Sequence, residues 1–483
     1  MELYRDIDIQ AITDKLDQII DESIDIKNTI LEPTNDEFNN VMEIIKDFIM
    51  KKKRVIYGGT AYNEIIKKQT NNSDSIYKKN DRKDIEFYTP DVLKDAMELA
   101  NLLHSKKFKF VQVRQAMHAE TYSLFVNFEQ YCDMSYMPKN IYENMPTLNI
   151  NGLLYTHPSW ILVDVLRQYN DPITSYWRLK DKTFFRASLL LKYYPLDLYI
   201  SKSDKNQSDK HSDIKLQIYK KIIPLHTLVF IGSVAENYYL TRSTKPNVSS
   251  LEVISTNYDN DIKVINKLIS DILGEKYKDI EVNTYKPFFQ FRDQHVEWIY
   301  DKLILLRVFG SNHKCIPFNT LHISNNLESI ESIQLGGYFR KTNSKSSLKG
   351  GAKEQISIKL ATFMVLFQSL LVDRHYWYIN RSEKYKEIEN KMAKLLKERN
   401  DYLKSKSITV MDSSPFKEFI IKCSGETIDQ GREFRLGLMA RKAKGVRLMF
   451  TYDPDNKGND KVPDYNFLNT SGNLDKSDIK KIF

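Results

Sequence analysis

The chain has 483 residues, and 41% are hydrophobic, which suffices for compact cores and excludes a disordered protein; its size suggests roughly two to four domains. A formal net charge of +9, from 72 basic and 63 acidic residues, fits a polyanionic partner without demanding one. Three cysteines, Cys132, Cys315 and Cys423, are far apart and odd in number, which argues against a disulfide framework or a CxxC metal site and for a reducing compartment.

The opening "MELYRDIDIQ" has no signal-peptide core. Residues 10–49 read as two helices. Ile12, Leu16, Ile19 and Ile20 form one stripe of the first; the second opens with the capping-box pattern "TNDE" and carries Phe38, Val41, Ile45 and Phe48 on one side. "RVIY" is a short strand, "TAYNEIIKK" a helix start, "NNSDSIYKKNDRK" a polar loop and "DIEFY" a strand. In "TPDVLKDAMELANLLHS", Thr89 suits the N-cap and Pro90 the first helical position. "FKFVQVR", "TYSLFVNF" and "YCDMSYM" follow as strands, then a helical, aromatic-rich stretch over 158–200 and the solvated loop "SKSDKNQSDKHSD". "LVFIGSVAENYYL" next repeats the strand, small-pair, helix-start pattern of "RVIYGGTAYNEII". "LEVIS", a helix, "FFQFRD" and "KLILLRV" continue in the earlier order, so the chain reads as an internal duplication. "KTNSKSSLKGGAK" separates this repeat from a helical region at 354–405. That region contains the longest apolar run, "ATFMVLFQSLLV", too short for a membrane span and read as a buried helix.

The chemistry gathers in the first repeat. Gly58 and Gly59 sit where a strand becomes a helix, where a missing side chain lets a ligand reach the backbone and free N–H groups face an anion; Thr60 adds a hydroxyl. Taken alone, the same triplet also fits a simple tight turn. In "DIEFY", strand alternation puts Asp84 and Glu86 on one face, and two carboxylates so close need a cation or protons. In "YCDMSYM", Asp133 lies opposite Cys132, Met134 and Tyr136, so it shares the open side with Tyr131 and Ser135. If this strand pairs beside "DIEFY", three acids converge on one patch, which suits a two-metal site with ions roughly 3.5–4 Å apart.

Strand, Gly-Gly-Thr, helix, Asp-x-Glu on a strand and a third strand-borne Asp together resemble the nucleotidyltransferase superfamily of DNA polymerase β type. The resemblance implies Asp84, Glu86 and Asp133 as metal ligands and catalytic acids. It also implies Asp133 near an acceptor 3′-hydroxyl, and Gly58, Gly59 and Thr60 holding the triphosphate. With "DVLRQYNDP…YWRLKDK" and the second repeat added, the chain is similar to the catalytic poly(A) polymerase subunits of poxviruses and giant viruses. That likeness implies two Mg²⁺ or Mn²⁺ ions, ATP as substrate and an RNA 3′ end as acceptor. It further implies a homodimer or a viral processivity subunit as partner, no membrane, and residence in the host cytoplasm at the viral factory, with packaging in the virion a further expectation. Heavy use of Ile, Lys, Asn and Tyr suits an AT-rich viral genome.

The basic, aromatic segment 155–196 offers Arg167, Arg178, Lys180, Lys182 and Arg186 for phosphates and Tyr176 or Trp177 for a base, with Lys180 and Lys182 assigned to the nucleotide; a helical subdomain with solvated charges is the competing reading. The second repeat keeps Gly232-Ser233 but has Ile254 two places after Glu252 and no acid in "KLILLRV", so it is expected to bind no catalytic metals.

The expected fold is α+β: two tandem nucleotidyltransferase-like units of mixed sheet plus helices, the first catalytic and the second degenerate, with helical flanks. The boundaries read as 1–49 N-terminal helices, 50–150 catalytic unit, 151–222 helical substrate-binding connector, 223–340 degenerate unit, 341–450 helical and basic region, 451–483 polar tail. Two alternatives stay open: a nucleotidyltransferase acting on tRNA or a small molecule, and a non-catalytic RNA-binding scaffold with this fold.

Overall fold

The computed structural model describes residues 3–455 except 72–73, 78–80, 119, 201–209, 243–246, 289–290, 312–313, 325–331, 335–354, 422 and 446–448. The Gly/Ser/Lys stretch 341–353, most of the loop from 201 and the tail after 455 therefore lie outside the described residues. Contacts divide the chain into two units, residues 1–161 with 433–474 and residues 162–432 with 475–483.

In chain order the first elements are α1 (Asp6–Ile30), α2 (Asn35–Lys52), β1 (Val55–Tyr57), α3 (Gly58–Gln69), β2 (Ile85–Thr89), α4 (Val92–Ser105), β3 (Gln112–Gln115), β4 (Thr121–Val126), β5 (Glu129–Tyr136), α5 (Lys139–Tyr142), β6 (Thr147–Ile150) and β7 (Leu153–Thr156). Then come α6 (Pro158–Tyr169), α7 (Pro172–Ser175), α8 (Phe185–Tyr193), α9 (Ser212–Ile222), β8 (Leu228–Ile231), α10 (Gly232–Thr241), β9 (Leu251–Ser255), α11 (Tyr258–Leu273), β10 (Glu281–Tyr285), β11 (His295–Tyr300), β12 (Leu303–Gly310) and β13 (Ile316–Ser324). The last are β14 (Ser332–Gln334), β15 (Gln355–Ala361), α12 (Phe363–Ile379), α13 (Lys384–Lys406), β16 (Cys423–Ser424), α14 (Gln430–Ala443) and β17 (Thr451–Tyr452).

The duplication is explicit in the sheets. The first has the order β17-β3-β4-β5-β2-β1-β7-β6 and the second β10-β11-β12-β9-β8-β15-β13-β14, with β16 added to β13. From β3 to β6 and from β10 to β13, every successive pairing has the same polarity. Thus β5 and β12 run parallel to β2 and β9, which run antiparallel to β1 and β8, which run parallel to β7 and β15. The strand that feeds each glycine turn, β1 or β8, thus has one antiparallel and one parallel neighbour.

Local chemistry accounts for most elements. Thr34 accepts the Glu37 backbone N–H at 3.3 Å and starts α2, whose Phe38, Val41, Ile45 and Phe48 are buried. Each such side chain contributes about 1.5–3 kcal/mol. At α4 the expected cap shifts. Thr89 ends β2, its hydroxyl donates to Asp95 at 2.5 Å and accepts the Asp91 N–H at 3.1 Å, and Asp91 stands at the N-cap. Pro90 lacks an N–H to give, so the chain makes a turn before the helix can begin. Arg54, at the end of the Lys51–Arg54 run, is not solvated but forms a two-pronged pair with the buried Asp95.

Several expectations are corrected. The α1 stripe is not covered: Ile12, Leu16, Ile19 and Ile20 are 44%, 47%, 49% and 45% exposed. "FKFVQVR" pairs only from Gln112, and the described residues of "FFQFRD" form no strand of their own: the Phe291 N–H donates to the Phe288 carbonyl, and both rings are buried. The region from 354 does not start helical: β15 joins β8 and β13 at the centre of the second sheet before the buried α12 and the partly exposed α13. At the other end of that region β17 pairs with β3 in the first unit. Cys315 and Cys423 form a disulfide, because β16 lies against β13 with Cys423 opposite Pro317 and brings the two Cα atoms to 5.3 Å. Cys132 stays free and buried.

Candidate active site

β1 runs into α3 with no connecting residue. Gly58 makes that join at φ +68°, and a Cβ there would fall on the carboxylate of Glu86, which β2 pairs opposite Tyr57. Glycine is needed twice at one position, for backbone conformation and for close approach. The Gly59 N–H donates to Glu86 Oε2 at 2.8 Å, and the Thr60 hydroxyl donates to the Asp84 carbonyl at 2.9 Å. The start of α3 thus grips the Asp-Ile-Glu segment. An oxygen anion already occupies the helix N-terminus, in keeping with the positive end of its dipole.

β5 lies parallel beside β2 with Asp133 opposite Glu86. Asp133 Oδ1 accepts the Ser123 hydroxyl at 2.5 Å and the Gln130 amide at 3.0 Å, and the same amide donates to Asp84 Oδ2 at 3.2 Å. Burial first, and then the Asp84 charge, raise the Asp133 carboxyl above its ordinary range, against the two hydrogen bonds. Simple alternation would put Gln130 on the opposite side of β5. A bulge prevents that: Phe125 pairs with Gln130 but Leu124 with Cys132, so Tyr131 is the extra residue and Gln130 joins the face of Asp133. Tyr131 is buried and stacks on Phe38, and Ser135 is buried against the hydroxyls of Tyr57 and Thr121. The open side expected along β5 is therefore closed at Tyr131 and Ser135. Gln130 and Ser123 had no signal in the sequence, since a bulge and a cross-strand partner are both non-local.

The donor set is oxygen only, which is what a hard divalent cation takes. The amide of Gln130 lies between Asp84 and Asp133 as a partial positive charge, where a cation between them would do the same work. Among the described residues no three acidic, His or Cys side chains are grouped closely enough to hold a metal as they stand. Glu86 is turned to Gly59 instead. The residues fit the ions in chemistry, and assembling them requires Glu86 to leave the helix start and Gln130 to turn away.

Lys180 and Lys182 are carried by the second unit and are exposed, in a π-helical turn at 179–184. Lys182 and Arg178 lie over the exposed Trp177 ring at 5.5 and 4.0 Å. Arg167 is engaged by Asp164 at 2.7 Å.

The second unit shows what the same frame becomes when only one of the three acid positions keeps its acid. Ile231 pairs with Glu252 just before Gly232, at φ +61°, so Glu252 is the counterpart of Glu86 and not of Asp84. Ser250 stands where Asp84 would, and Arg307, opposite Glu252, stands where Asp133 would. Arg307 reaches Glu297 at 2.8 Å, Glu252 at 3.5 Å and Asp373 at 3.6 Å, and Arg292 closes on Asp373. Despite burial, these carboxylates hold the Arg307 guanidinium above its ordinary value, and Arg292 and Arg307 hold Asp373 below its own. An arginine fills the place a cation would take.

A family model described as "Poly(A) polymerase catalytic subunit" matches residues 43–175, the stretch that holds Gly58, Asp84, Glu86 and Asp133. A second, described as "APMV, Putative poly(A) polymerase, catalytic subunit, C-terminal", matches residues 188–482. The chain belongs to the poly(A) polymerase catalytic subunit family. Its members are nucleotidyltransferases, and this chain is an enzyme of that class. A "Putative poly(A) polymerase catalytic subunit" of Acanthamoeba polyphaga mimivirus is 31% identical over 479 residues, which cover 94% of this chain and 78% of the relative. A protein of the same name from African swine fever virus, isolate Pig/Kenya/KEN-50/1950, is 33% identical over 172 residues, 35% of this chain and 36% of the relative. The crystal structure of the Megavirus polyadenylate synthase superposes with a TM-score of 0.78 at 29% identity, covering 98% of this chain and 91% of that one. The poly(A) polymerase relatives are viral proteins, and both family models together span the two repeats.

Proposed function

We propose that this poly(A) polymerase subunit adds AMP from ATP, without a template, to the 3′ end of RNA, and that the first unit is its catalytic centre. The observation that carries the proposal is the register of β2 on β5, which sets Asp84, Glu86 and Asp133 around the glycine start of α3. Asp84, Glu86 and Asp133 are the residues that would hold two Mg²⁺ or Mn²⁺ ions. Bound there, the ions supply charge neutralisation of the triphosphate and a lower pKa for the attacking hydroxyl. Once Glu86 turns away, the N–H of Gly59, the hydroxyl of Thr60 and the bare backbone at Gly58 face the triphosphate. Asp133 is suited to take the 3′-hydroxyl proton at Oδ2. Both of its hydrogen bonds fall on Oδ1, and its raised carboxyl makes it a better base than a solvated aspartate. Lys180 and Lys182 serve phosphates, and Trp177 serves a base.

The exposed apolar stripe of α1 supports self-association in place of a separate processivity subunit; light scattering of the purified chain would show a dimer. We further place the protein in the host cytoplasm and in the virion, which fractionation of infected cells would test. The test of function is direct. Purified protein, a short RNA primer, Mg²⁺ or Mn²⁺ and each nucleoside triphosphate in turn should give long products with ATP. No extension with any of them, from folded protein, would move the acceptor to tRNA or a small molecule, or make the chain a scaffold.

A further inference from the structure

The second unit lacks counterparts of Asp84 and Asp133 and has a cavity on the corresponding face. Ile231, Ile254 and Phe309 share the sheet face of Glu252 and Arg307, and they occupy the positions of Tyr57, Tyr88 and Ser135 in the first unit. In the first unit those residues close the face: Tyr57 stacks on Tyr88 at 4.0 Å and bonds Ser135 at 2.7 Å. In the second they floor an open-mouthed cleft of about 100 Å³.

The cleft has two kinds of wall. The floor and one side are apolar, with Phe291, Phe309 and Val365 all buried. The mouth is polar and contains groups with nothing to bind. Lys314 Nζ makes no hydrogen bond or ion pair among the described residues, although burial pulls its pKa down and Asp293 opposes that. The Gln368 and Ser369 side chains, on α12, are likewise unengaged among the described residues. Arg167 gives Nε and Nη2 to Asp164, which leaves Nη1. Two carboxylates also line the cleft: Asp171 caps α7 through Thr174, and the Asp293 charge acts on both Lys314 and Arg167. A withdrawn, unpaired ammonium is costly, and an anionic group beside it offsets that cost. A flat ring suits Phe309, Ile254 and Ile231, and a base edge suits Gln368 and Ser369.

We propose that this cleft binds a mononucleotide without metal, its base against the apolar floor and its phosphate on Lys314 and Arg167. Arginine and lysine here do for phosphate what ions would do in the first unit. The inference is independent of the chemistry assigned to Asp84, Glu86 and Asp133.

Equilibrium dialysis of the full chain against labelled AMP in EDTA tests it. The expected result is saturable binding, weakened about 10- to 100-fold by Lys314→Glu, the loss of one charge-assisted contact, and abolished by Ile254→Trp, which fills the floor. Both variants should keep the wild-type thermal transition and Mg²⁺-dependent transfer, which separates failure of this site from failure of the first. Inorganic phosphate should compete poorly. Absence of saturable binding by the wild type in EDTA, unchanged affinity in both variants, or equal competition by phosphate alone would each overturn the proposal. Should Ile254→Trp not fold, Lys314→Glu with an unchanged thermal transition decides it.

Discussion

The two repeats share strand order, pairing polarity and a glycine at positive φ before the helix, yet the first gathers carboxylates at its centre and the second sets an arginine among them. The first has Asp84, Glu86 and Asp133 around a bridging amide; the second has Ser250, Glu252 and Arg307 in the same three places. In the first, burial and then the Asp84 charge raise the Asp133 carboxyl, and the Gln130 amide bridges Asp84 and Asp133. In the second, Arg307 supplies the cation from within, and Glu297 and Asp373 complete a closed network. One frame therefore holds a cluster of acids or a structural ion network, depending on three side chains.

The comparison can be broken hardest at the acids. Asp84→Ala with Glu86→Ala should lower nucleotide transfer by at least about a thousandfold, because the ions it removes are worth several kcal/mol, while circular dichroism stays unchanged. The mirror change is Arg307→Ala. It strips the partner from three buried carboxylates and should destabilise the second unit by about 3–5 kcal/mol, read by denaturant unfolding. Next in size is Gly58→Ala, which forces a side chain into positive φ and onto Glu86; it should cost about 1–3 kcal/mol and reduce transfer, whereas Gly59→Ala should be milder.

The smallest effect is on pH. Asp133 has a folded-state pKa above its unfolded value, so the folded chain holds that proton more tightly. Its contribution to stability is full below the unfolded pKa and is lost as pH rises through the folded one. Asp133→Asn keeps an oxygen for Ser123 and Gln130 but removes the charge. In metal-free buffer at neutral pH it should melt slightly above the wild type while losing activity. A variant that melts lower across the whole pH range would show that the charge is not strained.

Strand alternation sufficed to place Asp84 and Glu86 on one face, because period two is local, and the glycine turn was readable for the same reason. That β5 pairs beside β2 and brings Asp133 to them is a non-local fact of the sheet. What escaped is non-local. Gln130 reaches the acids only through the bulge at Tyr131, and no residue type there marks it. Arg307 escaped because Glu252 was aligned with Asp84; the pairing of Ile231 with Glu252 shifts it to Glu86 and brings Ser250 into view. The α1 stripe had the right period for a helix but no information on what covers it. Thr89 and Pro90 fit a cap by type, yet Thr89 is taken up by β2 and Asp95. The cysteine pair depended on β16 lying against β13, a contact 108 residues away in sequence.

The most direct test of the central claim is a side-by-side primer-extension gel with Mg²⁺, ATP and a short RNA. It would compare the wild type with the Asp84→Ala, Glu86→Ala double variant, both checked for folding. A first unit that alone does the chemistry predicts long products from the wild type and an unextended primer from the variant. Extension by the variant at the wild-type rate would contradict it.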